Sequence, residues 1–167
     1  MLDSRGYRLN IGIILTNGEG ELFLGKRAGS KDSWQFPQGG MQSYETLEEA
    51  MYRELKEEIG LTQDDVKILA VTRHWLYYQL PHNLQREQHS ARGVKRCLGQ
   101  KQRWFLLKLV SDEKKISFDH TDTPEFDGWS WVDYWYPLQQ VIYFKRQVYE
   151  KVLTEFEKEM KFNRQIC

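Results

Sequence analysis

The sequence predicts an α/β sandwich, in which a sheet of short strands packs against two helices. Stretches rich in β-branched and aromatic residues are interleaved with two stretches of helical periodicity. The length of 167 residues suits one domain with a sizeable core. The chain shows no internal repeat, low-complexity segment or interdomain linker. We therefore expect residues 1–167 to fold as a single domain.

The predicted strands follow from composition and from the turn signals between them. Tyr7–Thr16 is β-rich, and Asn17-Gly18 supplies a turn before the apolar stretch that ends at Arg27. Further strands are expected at Trp34–Pro37, in Val66–Leu80 (one or two strands), at Gln102–Val110 and at Gly128–Val132. The polar, basic stretch His82–Leu98 has no periodicity, so we expect a loop there.

Two helices are predicted. Thr46 and Glu49 have the spacing of a capping box, and Gly60 supplies a C-terminal stop, so the first helix lies between them. The second is expected from about Leu138 to Met160, where apolar residues recur at helical spacing.

Composition and charge exclude several classes of protein. The 24 basic and 24 acidic side chains cancel, so a nucleic-acid partner would have to meet a local patch. The N-terminus lacks an apolar signal region, and no stretch approaches the roughly 20 apolar residues of a membrane span. We expect a cytoplasmic protein without membrane contact. Cys97 and Cys167 lack metal-like spacing and are expected to be reduced thiols.

The first predicted helix gathers negative charge in an unusual place. Six glutamates lie between Glu45 and Glu58. At about 100° per residue, Glu54 and Glu58 fall within the arc of apolar residues that faces the core, and Glu57 falls at its edge. A solvated face explains an ordinary run of glutamates, but it does not explain carboxylates on the inward face.

The position of these carboxylates along the helix points to a bound cation. Glu54, Glu57 and Glu58 occupy the C-terminal half, where the helix dipole disfavours anions, and their spacing makes them neighbours that repel. A single Arg53 cannot offset three carboxylates. A hard divalent cation such as Mg²⁺, which prefers oxygen ligands and also binds phosphate oxygens, can do so.

The same segment carries a family motif. Its pattern is Gly39-x5-Glu45-x7-Arg53-Glu54-Leu55-x-Glu57-Glu58-x-Gly60-Leu61, which matches the Nudix box over residues 39–61. Together with GYRLNIGI, SWQFPQGG, GQKQRWFLL, TPEFDGWSWV and FKRQVY, it resembles the bacterial RNA pyrophosphohydrolases and the related hydrolases of dinucleoside polyphosphates. The resemblance implies a Nudix-type α/β/α sandwich with a mixed sheet, a Nudix-box helix and a long C-terminal helix.

The resemblance also implies roles at the centre of the site. Glu54, Glu57 and Glu58 would bind metal and take part in catalysis, with the backbone carbonyl of Gly39 as a further ligand. Glu125 matches an additional glutamate at the metals. The implied cofactor is Mg²⁺, Mn²⁺ or another divalent cation. Glu45 and Arg53 match a supporting ion pair. The general base stays open among Glu54, Glu57 and Glu125.

Substrate-binding residues are implied outside the box. Arg8 and Arg27 match positions that contact phosphate and base, although exposed strand cations would also explain them. Tyr78, Phe144 and Lys145 match residues that line an RNA site, and an aromatic ring there could stack on a base. Between Arg86 and Arg103 there are six basic residues and one acid, which suits an RNA backbone or an ordinary solvated loop.

The expected activity is removal of pyrophosphate from the triphosphorylated 5′ end of RNA, which leaves a monophosphate and promotes mRNA decay. The same chemistry on diadenosine polyphosphates is the first alternative. A non-catalytic RNA-binding module is the second, and the intact box carboxylates argue against it. The partner is therefore an RNA 5′ end or a dinucleoside polyphosphate, and a protein partner cannot be predicted from the sequence.

Overall fold

The computed structural model describes residues 1–165, so the prediction for Cys167 lies outside the described residues. The helices are Leu47–Ile59 (α1), Pro137–Gln140 (α2) and Arg146–Gln165 (α3). The strands are Tyr7–Thr16 (β1), Leu22–Arg27 (β2), Trp34–Gln35 (β3), Gln38–Gly40 (β4), Val66–Val71 (β5), Leu76–Gln79 (β6), Glu87–Ser90 (β7), Gly93–Arg96 (β8), Gly99–Leu109 (β9) and Phe126–Val132 (β10).

Within residues 1–165, eight strands form one mixed sheet with the main order β10-β2-β1-β9-β5. The strands β1 and β9 are parallel, in register from Tyr7↔Gly99 to Thr16↔Lys108, and the other pairings are antiparallel. The short strands β3 and β4 pair with β2 and β1, respectively. Through this pairing, Gly39 in β4 lies opposite Ile11 in β1, near the middle of the sheet.

Helices cover both faces of this sheet. Alternate residues of β1 point to opposite sides, so Ile13 joins the core under α1 while Ile14 joins the core under α3. From α1 the buried residues are Ala50, Met51, Leu55 and Ile59, and from α3 they are Val148, Tyr149, Val152, Leu153, Phe156 and Met160. The predicted α/β/α sandwich with a mixed sheet is confirmed.

The ends of α1 follow the predicted signals. The Thr46 hydroxyl accepts a hydrogen bond from the Glu49 N–H at 3.2 Å, and the Glu49 carboxylate accepts one from the Thr46 N–H at 2.8 Å. At the other end Gly60 has φ 75°, a left-handed conformation that favours glycine. The capping box and the glycine stop are confirmed, and they fix which glutamates face the sheet.

The prediction of one continuous helix from Leu138 to Met160 is wrong. The short α2 ends at Gln140, Val141 and Ile142 are extended, and a single 3₁₀ turn over Tyr143–Lys145 precedes α3. Tertiary contacts explain the break. It allows the Phe144 ring to approach the Tyr78 ring at 5.9 Å, which packing favours over continued helix.

The prediction of a loop over His82–Leu98 is also wrong. The strands β7 and β8 form an antiparallel hairpin there, in register from Glu87↔Arg96 to Ser90↔Gly93. Gly93 has φ 111° beside the tight turn. Residues 87–89 of β7 and all four residues of β8 are exposed, so this described part of the hairpin has no buried side chain to impose an alternating hydrophobic pattern.

Candidate metal and phosphate site

The carboxylates of α1 divide between the inside and the surface of the protein. Glu54 is 6% exposed, although it is charged and lies in the middle of a helix. Glu58 is partly buried, and its Oε2 atom is fully shielded from solvent. The side chain of Glu57 is 48% exposed. The helical periodicity therefore placed Glu54 and Glu58 on the inward face and Glu57 at its edge, as the structure has them.

Gly39 lies directly against Glu54. A Cβ atom at position 39 would stand 1.8 Å from Cδ of Glu54, which is far inside van der Waals contact. Only glycine lets the β4 backbone approach the carboxylate this closely. The peptide around Gly39 and the Glu54 side chain therefore share one small volume.

Arg53 holds the entry loop against α1. Its Nε and Nη2 atoms donate to the two oxygens of Glu45 at 2.5 and 2.9 Å, and Nη2 also donates to the Gly40 carbonyl at 2.9 Å. This hydrogen-bonded ion pair keeps the pKa of the Glu45 carboxyl below its usual range. Arg53 Nη1 donates to Glu54 at 2.6 Å and to Glu57 at 3.3 Å. The ion pair expected from the Nudix box is present.

The electrostatics of Glu58 differ from those of a structural carboxylate. Burial raises its pKa to about 8, and the charges of Glu125, Glu54 and Glu57 add to the rise in that order. Within residues 1–165, its buried Oε2 atom has no hydrogen-bond partner. Burial also raises the pKa of Glu54, against the opposing hydrogen bond from Arg53. Among the carboxylates of this site in residues 1–165, Glu58 is the one that no arginine or lysine contacts in an ion pair.

These residues fit a divalent cation in chemistry, though they are not arranged as a finished binding site. No group of three or more His, Cys, Asp or Glu side chains in residues 1–165 could hold a metal ion as it stands. Two of the box carboxylates, Glu54 and Glu57, are engaged by Arg53. The unpartnered Glu58 oxygen and the carboxylates beside the Gly39 backbone are nevertheless the hard oxygen donors that Mg²⁺ and Mn²⁺ prefer.

Glu125 lies on the far side of the site, just before β10. Its Oε1 accepts a hydrogen bond from Nε2 of Gln35 at 3.2 Å and lies 3.5 Å from Nε of Arg27. Its side chain is 40% exposed. The influence of its charge on Glu58 brings Glu125 into the same electrostatic site as the box carboxylates.

The predicted substrate residues surround this centre. The exposed Arg8 guanidinium lies over Gly40, where an added Cβ would be 2.4 Å from Nη2. Tyr78 is 6% exposed, and its ring meets the half-buried ring of Phe144. Lys145 is 9% exposed, and its Nζ donates to Oε1 of Gln35 at 3.1 Å. Burial, together with the nearby charge of Arg27, lowers the pKa of Lys145 to about 8.

Two glutamines were missed by the sequence analysis. Gln35 contacts both Lys145 and Glu125, and Nε2 of Gln38 donates to the Tyr78 hydroxyl at 3.3 Å. Both belong to SWQFPQGG, which the analysis used for the resemblance without assigning a role to its amides. In the sequence, the pattern that could have indicated them is two glutamines on either side of Phe36-Pro37.

Other surface cavities contain none of the predicted site residues. One of about 410 Å³ is lined by Trp34, Trp131 and Tyr136 among others, and one of about 510 Å³ lies on the other side of Trp131. Neither contains a carboxylate of the box helix. We therefore locate the candidate site from the charged groups.

Comparison with known proteins agrees with this geometry. The NUDIX domain family matches residues 6–156. The chain belongs to the Nudix family. It is 58% identical over 156 residues to the RNA pyrophosphohydrolase of Histophilus somni (strain 2336), covering 93% of this chain and 79% of that protein. It is 56% identical to the RNA pyrophosphohydrolase of Vibrio atlanticus (strain LGP32), covering 93% and 88%.

Solved structures share the Nudix fold at low sequence identity. The E. coli dihydroneopterin triphosphate pyrophosphohydrolase has a TM-score of 0.64 at 20% identity, with 89% of this chain and 98% of that chain covered. The C. elegans Ap4A hydrolase has a TM-score of 0.62 at 16% identity, with 90% and 98% covered. Nudix proteins generally use divalent cations. None of the helices within residues 1–165 has the length and apolar character needed to cross a bilayer.

Proposed function

We propose that this Nudix protein is an RNA 5′ pyrophosphohydrolase. Water attacks a phosphorus of the 5′-triphosphate, a P–O–P bond breaks, and pyrophosphate leaves an RNA with a 5′-monophosphate. The observation that carries the proposal is the buried, unpartnered oxygen of Glu58 among further carboxylates, in a chain 54–58% identical to proteins named RNA pyrophosphohydrolase. We propose that it acts in the cytoplasm, as one domain over residues 1–167, to promote mRNA decay.

The box carboxylates have a defined task in this proposal. Glu54, Glu57, Glu58, Glu125 and the Gly39 carbonyl would hold the divalent cation, which we propose to be Mg²⁺ or Mn²⁺. When bound, the cation supplies positive charge that neutralises phosphate oxygens and acidifies water. A carboxylate accepts the proton of the attacking water, and Glu54, Glu57 and Glu125 are the candidates. Arg53 holds Glu45 and the loop carbonyl, which keeps the Gly39 backbone in place.

The surrounding cations and rings select the substrate. The exposed Arg8 and the partly exposed Arg27 are free of the hydrophobic core and can donate to phosphate oxygens. The half-buried Phe144 ring, which packs against the buried Tyr78 ring, offers an aromatic surface to a base, and such stacking contributes roughly 1–3 kcal/mol per base. A nucleotide joined to a phosphate chain fits this combination of rings and cations.

The test is release of phosphate label from an RNA that carries it at its triphosphorylated 5′ terminus. We expect pyrophosphate (or its hydrolysed halves) and monophosphorylated RNA, formed only when Mg²⁺ or Mn²⁺ is present. Cleavage within the RNA chain would contradict the proposal.

A parallel assay on diadenosine tetraphosphate separates the two substrate classes, because both contain the same kind of bond. We expect the larger kcat/KM on RNA. A larger value on the dinucleotide would instead favour a dinucleoside polyphosphate hydrolase. A non-catalytic RNA-binding module would bind RNA without hydrolysing it, and the Glu54→Gln substitution would leave its function undiminished.

A further inference from the structure

Gln35 occupies a buried position between two charged groups of the site. Its side chain is in the short strand β3, and the residue is 6% exposed. Its Oε1 accepts a hydrogen bond from Lys145 Nζ at 3.1 Å, and its Nε2 donates to Glu125 Oε1 at 3.2 Å. One amide thus connects an ammonium group to a carboxylate.

The direction of this chain follows from the chemistry of its ends. A lysine ammonium can only donate hydrogen bonds, so the amide oxygen of Gln35 must face Lys145. The amide nitrogen, which can only donate, then faces Glu125, and the Glu125 oxygen must accept. Gln35 therefore favours one orientation of the Glu125 carboxylate and leaves its Oε2 available for other contacts.

The strand that carries Gln35 is held firmly. The next residue, Phe36, is fully buried, and its N–H donates at 2.9 Å to the hydroxyl of Tyr149 in α3. Gln35 itself pairs with Gly25 in β2. Glu125 is more exposed, and its other close cation, Arg27, has a side chain that is 52% exposed. Gln35 is thus the ordered side of this contact.

We infer that Gln35 is a positioning residue, which joins Lys145 to Glu125 and fixes the orientation of the Glu125 carboxylate. The inference rests on the proposed function, because Glu125 matters to catalysis only if this site binds cation and phosphate. It also gives Lys145 a role through Gln35 in addition to the substrate contact that the resemblance implies.

The decisive variant is Gln35→Glu. A carboxylate at this position still accepts from Lys145, which keeps the fold supported, but it repels Glu125. Partners that orient metal ligands typically contribute about 10–100-fold to metal affinity or activity, so we expect kcat on triphosphorylated RNA to fall by that factor. We expect KM within about threefold of wild type, since no substrate contact is removed.

A second measurement does not depend on turnover. Mn²⁺ titration followed by electron paramagnetic resonance, without substrate, should show affinity weakened by about tenfold in Gln35→Glu. The matched control is Thr16→Val at the far end of β1, which removes another buried polar group, the Thr16 hydroxyl that donates to the Glu21 carbonyl at 2.8 Å. We expect this control to lose thermal stability while keeping its kcat and Mn²⁺ affinity. Unchanged kcat and unchanged Mn²⁺ affinity in Gln35→Glu would overturn the inference.

An exchange variant tests the contact itself. Gln35→Glu combined with Glu125→Gln places a carboxylate and an amide opposite each other again, so thermal stability should recover relative to Gln35→Glu alone. No recovery would show that the two side chains do not meet. A wild-type protein inactive on RNA and on diadenosine tetraphosphate would refute the proposed function, whereas the Mn²⁺ titration would still decide the role of Gln35.

Discussion

Two buried carboxylates, Glu58 near the end of α1 and Asp65 just beyond it, are treated in opposite ways. Asp65 is 4% exposed, and its oxygens accept hydrogen bonds from the Thr62 N–H, the Thr62 and Ser111 hydroxyls and the Lys115 ammonium. These contacts, led by Lys115, lower the pKa of Asp65. Glu58 has a raised pKa and a buried oxygen to which no group in residues 1–165 donates a hydrogen bond.

The difference separates a carboxylate that supports the fold from one that we propose to bind a cation. Burial without a partner costs stability, and native proteins keep such groups where function requires them. Asp65 joins the turn after α1 to the end of β9 and needs nothing more. Glu58 becomes favourable only when positive charge arrives, which is the physical basis of the proposed cation site.

The largest expected effect comes from neutralising Glu58. We expect Glu58→Gln to lower kcat by at least about 100-fold, because the site loses a cation ligand. The metal-free variant should be about as stable as wild type at pH 7, because the raised pKa of Glu58, about 8, leaves its carboxyl largely protonated there and the glutamine is likewise neutral. Steady-state assays and thermal unfolding measure the two effects.

Glu48→Gln is the matched control for that variant, since Glu48 is exposed on the first turn of the same helix. It should leave kcat unchanged. If Glu58→Gln instead made the metal-free protein clearly less stable than wild type, the loss of activity would follow from the loss of folding. Glu58 would then be a structural group like Asp65.

A third carboxylate, Glu45, extends the comparison, because its side chain is only 7% exposed and depends on Arg53. Arg53→Ala leaves that charge without its partner, and breaking such a pair costs about 3–5 kcal/mol in the free energy of unfolding. Urea unfolding at pH 7 measures the loss. Lys56→Ala, an exposed change on the same helix, should cost little, and equal losses would refute the special role of Arg53.

A smaller and pH-dependent effect is expected at Asp65. Because its pKa is lower in the folded protein than in the unfolded chain, its stabilisation is present above about pH 4 and is lost as the pH falls further. At pH 7 we expect Asp65→Asn to cost about 1–3 kcal/mol in stability, with kcat nearly unchanged. The difference in unfolding free energy between Asp65→Asn and wild type should narrow as the pH falls from about 5 to about 2, the range in which carboxylates titrate.

The control for this titration is Asp64→Asn, because Asp64 is the exposed neighbour in the same turn. Its stability should follow the wild-type curve at every pH. If the difference in unfolding free energy between Asp65→Asn and wild type stayed constant down to about pH 2, ionisation of Asp65 would not be the source of its contribution.

The smallest effect is expected at the basic hairpin of β7 and β8, where charge is exposed. We expect Lys95→Ala to change kcat/KM on RNA by less than about twofold at physiological salt, because exposed charges are screened. The assay is repeated at low salt and on diadenosine tetraphosphate. A loss of about tenfold in kcat/KM on RNA, without a loss on diadenosine tetraphosphate, would instead show that the basic residues of the hairpin contact RNA phosphates.

The sequence was most informative where burial of one face imposes a periodic pattern of apolar residues. Helical spacing placed Glu54 and Glu58 inward, and Thr46 and Gly60 set the ends of α1. It failed where long-range contacts decide local structure. The break before α3 depends on Phe144 meeting Tyr78, sixty-six positions earlier, and the described part of β7 and β8 has no buried side chain to impose a pattern.

The site shows the same division. The Nudix box predicted the carboxylates and their supporting arginine, because these residues lie close together in the chain. The roles of Glu54, Glu57, Glu58 and Glu125 stay predictions until they are measured. The contacts of Gln35 with Lys145 and Glu125 could not be predicted, since they span |i−j| of 110 and 90. No local pattern reports contacts at that distance.

The parallel pairing of β1 with β9 has a consequence for biosynthesis. Tyr7 pairs with Gly99 and Thr16 pairs with Lys108, so β1 and β9 cannot pair until most of the chain has left the ribosome. Closing so long a loop before any contact repays it slows folding. The strands β2 and β4 can pair with one edge of β1 early, but the edge that meets β9 stays unpaired through most of translation. An exposed strand edge of this kind is what holding chaperones bind.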